Sequence, residues 1–108
     1  MRNILVLGAS GFLGQNLCEK LEKEQAGHLL KTSRRTGLDL FDLQSTKECL
    51  KAFQPDVIYN CAAHVGGLSY ISKLAADILR DNLQMSLNLY EAVRTESPQA
   101  IIVNPLSN

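Results

Sequence analysis

Neither sign of charge is in excess in this chain: eleven Lys and Arg residues cancel eleven Asp and Glu residues over 108 positions. No whole-chain field draws it to nucleic acid or to an anionic membrane surface, and neither is expected as a partner. An apolar run of about 18 residues, which a membrane span requires, is also missing. The N-terminus lacks the basic, apolar and small-residue succession of a secretory signal, because Met1 leads directly into an apolar segment. Cysteine is scarce: Cys18, Cys49 and Cys61 are odd in number, far apart and without a Cys-x-x-Cys pair. Neither a disulfide framework nor a metal site is expected, and free thiols in a reducing cytoplasm are the default. Repeats and low-complexity stretches are absent too. What is present, 45% hydrophobic and 20% charged residues, fits one ordinary globular domain.

The informative stretch is Gly8-Ala9-Ser10-Gly11-Phe12-Leu13-Gly14, which follows the aliphatic run Ile4-Leu5-Val6-Leu7 and opens a helical pattern. Four consecutive aliphatics bounded by glycine suit a parallel strand covered on both faces. Gly8 and Gly11 allow the backbone to turn tightly and to approach a bulky anion, and Gly14 lets the helix pack closely on the strand. The first turn of such a helix has unpaired N–H groups and the positive end of its dipole, so a pyrophosphate is the natural guest. The alternative is a tight glycine turn with no ligand, since the motif alone is weak.

From there the chain alternates. A strand over Asn3–Leu7 precedes a helix from about Gly11 to Gln25, with Leu13, Leu17 and Leu21 on one face, Cys18 beside them and Gly27 as its expected cap. His28–Ser33 is a second strand. Gln44–Phe53 has a helical rhythm with Cys49, Leu50 and Phe53 inward, capped by Asp42 or Ser45. Val57–Cys61 is a third strand, ending on the small residues Ala62 and Ala63 where a ligand would lie beyond its carboxyl end. A loop over His64–Leu68 leads to a long helix, about Leu74 to Thr95, in which Leu79, Leu83, Leu87, Tyr90 and Val93 keep a three-to-four spacing. Ala100–Val103 is a fourth strand. The β-α-β-α-β-α-β order implies a Rossmann-type α/β fold: a parallel sheet with right-handed crossovers and helices on both faces.

The end of the second strand bears on cofactor choice. In the dinucleotide fold an acidic residue about 20 positions after the glycine turn holds the ribose hydroxyl of NAD, whereas an arginine accommodates the phosphate of NADP. Arg34 and Arg35 stand there, and no Asp or Glu occurs between Glu24 and Asp39. A guanidinium fork pairs well with phosphate, which favours NADP over NAD. A solvated loop is the alternative for Ser33–Gly37.

Taken together, Gly8-x-x-Gly11-x-x-Gly14, Asp39-Leu40 and Asn60-Cys61-Ala62-Ala63 resemble the extended short-chain dehydrogenase/reductases, the NAD-dependent epimerase/dehydratases of nucleotide sugars. Ala62-Ala63-His64-Val65-Gly66-Gly67-Leu68 and Arg80-Asp81-Asn82-Leu83 are similar to the GDP-L-fucose synthase branch, and these motifs are narrower than the glycine turn. The resemblance implies that Gly8, Ser10, Gly11, Phe12, Leu13 and Gly14 border the pyrophosphate. It places Arg34 and Arg35 at the adenosine phosphate, Asp39 and Leu40 at the adenine, and Ala62 and Ala63 under the nicotinamide ribose. His64 and Asn82 complete the cofactor contacts, with an ordinary loop histidine and a helix-surface amide as their alternatives. Ser107 matches the family's catalytic serine by position, although Asn104-Pro105-Leu106 departs from the small residues that commonly precede it.

The family's Tyr-x-x-x-Lys does not occur among the 108 residues: Tyr70 and Lys73 are three apart, and Tyr90 is followed at four by Arg94. The resemblance therefore implies the first four strands of a larger doubly wound domain: the N-terminal part of a dinucleotide-binding domain, inactive alone, with the remaining strands and a substrate domain absent. The parent enzyme is expected to be an NADP(H)-dependent epimerase/reductase acting on a nucleotide sugar by hydride transfer. An NAD-dependent 4-epimerase or 4,6-dehydratase and a non-catalytic dinucleotide-binding module are the alternatives. A methyltransferase, whose glycine loop also follows the first strand, would want an acidic residue where Arg34 stands. Family members are often dimers, so a homodimer is a further expectation; pairing through an open sheet edge is another.

Overall fold

The computed structural model describes residues 2–33, 38–62 and 73–104, without the side chains of 73–75. Its centre is β1 (Asn3–Leu7), which pairs in parallel with β2 (His28–Thr32) on one side and β3 (Val57–Asn60) on the other. β4 (Ile101–Val103) adds to β3, giving the parallel order β2-β1-β3-β4. Strand alternation sorts the core into two layers. Ile4 and Val6 point to α1 (Phe12–Lys23), where they pack with Cys18 and Leu21. Leu5, Leu7 and Ile58 point the other way, toward α2 (Leu43–Phe53) and α3 (Lys73–Glu96), and meet Leu50, Met85, Leu89, Ala92 and Val93. Helices thus cover both faces, as a doubly wound sheet requires.

Each fully buried aliphatic in this core contributes about 1.5–3 kcal/mol by leaving water. Leu5, Leu7, Leu50, Ile58 and Leu89 are the largest of them. Polar bonds fix how the layers meet. Asp42 caps α2, its Oδ1 accepting from the Ser45 N–H at 3.2 Å. Asn88 donates from α3 to the Leu40 carbonyl at 2.8 Å, and the Gln54 amide reaches the Glu96 carbonyl at 3.1 Å.

Three local expectations are corrected. Gly27 does not cap α1: the helix ends at Lys23 with Glu24 as its C-cap, Gln25 takes the left-handed turn at φ +52°, and Gly27 lies against the Arg2 carbonyl. Leu13, in the first turn of α1, is exposed and borders a cleft rather than packing on the sheet. The long helix is rotated from the face its leucines suggest. Leu79, Leu83, Leu87 and Tyr90 are exposed, while Met85, Asn88, Leu89, Ala92 and Val93 are buried. That helix carries two apolar stripes, and the one that also seats the Asn88 amide on Leu40 faces the sheet. Among the described residues no helix is long and apolar enough to cross a membrane.

Candidate functional site

At the carboxyl ends of β1, β2 and β3 lies a cleft of about 530 Å³, within the range of small-molecule sites. Its floor is the turn after β1. Gly8 sits at φ +69°, a left-handed conformation that a side chain disfavours. A Cβ there would also stand 2.6 Å from the Cys61 carbonyl carbon and 2.7 Å from the Ala62 Cα. The turn is closed by hydrogen bonds from Ala9 N to Thr32 O at 2.9 Å and from the Gln15 amide to Ser10 O at 2.8 Å.

The three motif glycines are not equivalent. A Cβ on Gly14 would fall on the Gly8 carbonyl oxygen and 2.8 Å from the Ala9 Cα, so helix-to-turn packing accounts for it. A Cβ on Gly11 would meet nothing nearer than the Gly8 oxygen at 3.6 Å, an ordinary contact, and its φ of −76° suits any residue. The fold makes no demand for glycine there. A ligand approaching the backbone would.

Gly11 is the extended N-cap of α1, with no side-chain cap and no acidic residue in the first turn. The contrast with α2, which Asp42 caps, leaves the positive end of α1 open to an anion. Hydrogen bonds from Ser45, chiefly its backbone N–H, hold the Asp42 carboxyl below its usual range.

The wall beside β2 is Leu38-Asp39-Leu40-Phe41. Asp39 shapes this turn: its Oδ1 accepts from Phe41 N at 3.0 Å and its carbonyl from Asp42 N at 3.0 Å. Leu38 and Leu40 are buried, and Met85 faces the same space from α3, so this end is an apolar slot beside a carboxylate. Opposite lie Asn60, Cys61 and Ala62; burial pushes the Cys61 thiol up from its ordinary pKa.

The profile of the NAD dependent epimerase/dehydratase family matches residues 4–104. The chain belongs to this family. A GDP-mannose 3,5-epimerase 1 from Oryza sativa subsp. indica is 31% identical across 84% of the chain. The chain spans only 27% of that relative's length. Two solved structures share the fold at lower identity. A GDP-mannoheptose C4 reductase from Campylobacter jejuni with NADP bound has a TM-score of 0.74 at 23% identity, over 94% of this chain and 31% of its own. A UDP-glucose-4-epimerase from Stenotrophomonas maltophila with bound NAD and formylated UDP-arabinopyranose has 0.76 at 20%, over 96% and 36%.

Of the family positions expected from the sequence, Gly8, Ser10, Gly11, Phe12, Leu13, Asp39, Leu40 and Ala62 line the cleft together. Phe12 stands at its mouth, 87% exposed. Gly14 lies behind the lining, against the turn. Asn82 is on α3 three residues before Met85, half-buried, and is not part of the lining. Arg34, Arg35, Ala63, His64 and Ser107 lie outside the described residues. The cleft also includes residues the sequence reading gave no ligand role, among them Thr32, Leu38, Asn60, Cys61 and Met85. The rule that ligands sit beyond strand carboxyl ends could have found Thr32, Asn60 and Cys61. Met85 had no comparable signal, because only the rotation of α3 brings it in.

Proposed function

We propose that this chain is the dinucleotide-binding part of a nucleotide-sugar epimerase/reductase that uses NADP(H), of the GDP-L-fucose synthase type. The observation that carries the proposal is Gly11: open on its cleft side, at the uncapped start of α1, it leaves room for a diphosphate against the first-turn N–H groups. The backbone of Gly8, Ser10, Gly11, Phe12 and Leu13 would hold the pyrophosphate, with Gly14 keeping α1 close behind it. Arg34 and Arg35 would pair with the adenosine phosphate, since a guanidinium matches phosphate geometry. Asp39 and Leu40 would receive the adenine, whose amino group can donate to the carboxylate. Ala62 and Ala63 would leave space for the nicotinamide ribose, with His64 and Asn82 nearby, and Ser107 would hydrogen-bond the reacting oxygen.

Bound NADP(H) supplies or receives hydride, and the protein orients the sugar carbon against it. Similarity to a GDP-mannose epimerase and fold likeness to a GDP-heptose reductase support a GDP-linked sugar as substrate. No Tyr-x-x-x-Lys occurs among these residues, so the 108-residue chain is proposed to bind without turnover. An NAD-dependent epimerase is the second reading. The family's description as NAD dependent favours it, and Arg34 stands against it.

Calorimetric titration with NADPH and NADH, with Arg34→Ala in parallel, tests the proposal. NADPH binding that weakens on Arg34→Ala while NADH is unaffected supports the NADP(H) reading. A preference for NADH supports the NAD-dependent epimerase. Binding of neither contradicts a dinucleotide site in this chain.

A further inference from the structure

Among the described residues, one buried side-chain polar atom has no hydrogen-bond partner: Oδ1 of Asn60. Asn60 ends β3, is 6% exposed, and forms part of the cleft wall between its register partner Leu7 and the end of β4. Its Nδ2 donates to Asn104 Oδ1 at 3.1 Å, and Asn104 Nδ2 donates to the Tyr90 hydroxyl at 2.9 Å. Turning both amides end for end preserves that chain, with the tyrosine then donating, and leaves Nδ2 of Asn60 unpaired instead. One end of this amide is unpaired in either assignment.

A half-satisfied buried amide is a poor choice for a strand whose other inward residues, Val57 and Ile58, are apolar. The surroundings show where a partner could enter. Among the described residues, β1 and β4 flank Asn60 within the sheet, Met85 of α3 lies in the same wall, and Asn60 also borders the cleft. The terminal torsion of an asparagine is soft, so the unpaired end can turn toward a partner in the cleft.

The geometry points to Asn60 as a ligand-contacting residue: when a dinucleotide fills the cleft, the free end of its amide exchanges a hydrogen bond with an O–H group. This rests on the dinucleotide reading above. A hydroxyl both donates and accepts, so it satisfies the amide in either orientation, whereas a phosphate oxygen only accepts. The hydroxyl is a ribose hydroxyl of the ligand or a water enclosed beneath it.

The test is calorimetric titration of the 108-residue chain and of Asn60→Leu with NADPH and NADH, alongside thermal melting of each protein without ligand. Leucine has a similar size and no polar end to leave unpaired. The expected result is an affinity about tenfold weaker in Asn60→Leu, with its unliganded melting temperature within about 4 °C of the parent. Should Asn60→Leu not fold, Asn60→Thr keeps a hydroxyl on a strand-compatible side chain and is expected to bind within about threefold of the parent.

Dinucleotides lacking single ribose hydroxyls separate the two sources. If one deletion weakens the parent but not Asn60→Leu further, the ribose supplies the O–H; if none behaves so while Asn60→Leu stays weak, an enclosed water does. Undiminished binding by Asn60→Leu, or a threonine variant that folds but loses binding, overturns the inference while leaving the dinucleotide site standing. Failure of the parent to bind either cofactor overturns both.

Discussion

Replacing Gly11 and Gly14 separately by alanine distinguishes a glycine kept for a ligand from one kept for packing. In Gly14→Ala the new Cβ falls on the Gly8 carbonyl oxygen and 2.8 Å from the Ala9 Cα, both backbone atoms. Neither can move aside like a side chain, so α1 must lift from the turn. Overpacking of this kind costs about 3 kcal/mol, which for a domain of this size lowers the melting temperature by about 12 °C. In Gly11→Ala the Cβ has 3.6 Å to its nearest neighbour and the backbone is already extended. Alanine is a poorer N-cap than glycine by about 0.5 kcal/mol, but it also stiffens the unfolded chain by a similar amount. Gly11→Ala should therefore melt within about 3 °C of the parent.

Ligand reverses the order of interest. At about 100 times its Kd, NADPH should stabilise the parent by about 2.7 kcal/mol, or about 10 °C. Gly11→Ala should lose most of that shift, because its methyl group occupies the approach to the first-turn N–H groups. Circular dichroism melts with and without NADPH read both effects. A Gly11→Ala protein that melts as low as Gly14→Ala, or one that keeps the full NADPH shift, would refute the reasoning.

Three further outcomes follow from the same geometry. Leu50 is fully buried between the sheet and α2, and Leu50→Ala should cost about 3 kcal/mol in urea unfolding with little change in slope. Asp42 has a lowered pKa in the folded chain, so its capping contribution is complete above about pH 4 and vanishes as pH falls through the lowered value. The acid melting profile of Asp42→Ala should accordingly be flatter over that window than the parent's. Burial raises the pKa of the Cys61 thiol in the cleft wall, so thiol reagents should modify it slowly near pH 7, and NADPH should slow the reaction further, as mass spectrometry can follow.

Much of the scaffold is legible because short-range pattern and tertiary structure agree. The aliphatic run at Ile4–Leu7 is β1, buried on both faces, and the turn after it falls where the glycines stand. Asp39 and Leu40 line the cleft together with Thr32, at the carboxyl end of β2. The long helix was less legible. Its leucines at 79, 83 and 87 form the more regular stripe, yet the face with Met85, Leu89 and Ala92 packs inward. Periodicity identifies a helix but cannot choose between two apolar faces. Gly27 misled for a related reason: a residue in the left-handed conformation was expected after α1, and Gln25 adopts it two positions earlier. Asn60 and Met85 belong to the cleft through contacts between separate elements, which spacing along one element does not encode.

The central claim is that a dinucleotide binds across the carboxyl ends of β1, β2 and β3. Following backbone amide resonances during titration with NADPH tests it most directly. The account predicts shifts at Gly8, Gly11, Phe12 and Leu13, at Leu38 to Leu40, and at Cys61 and Ala62, with little change at Gln25 to Leu29 around the separate cavity below α1. Unchanged resonances around the glycine turn, or shifts confined to that second cavity, would contradict it.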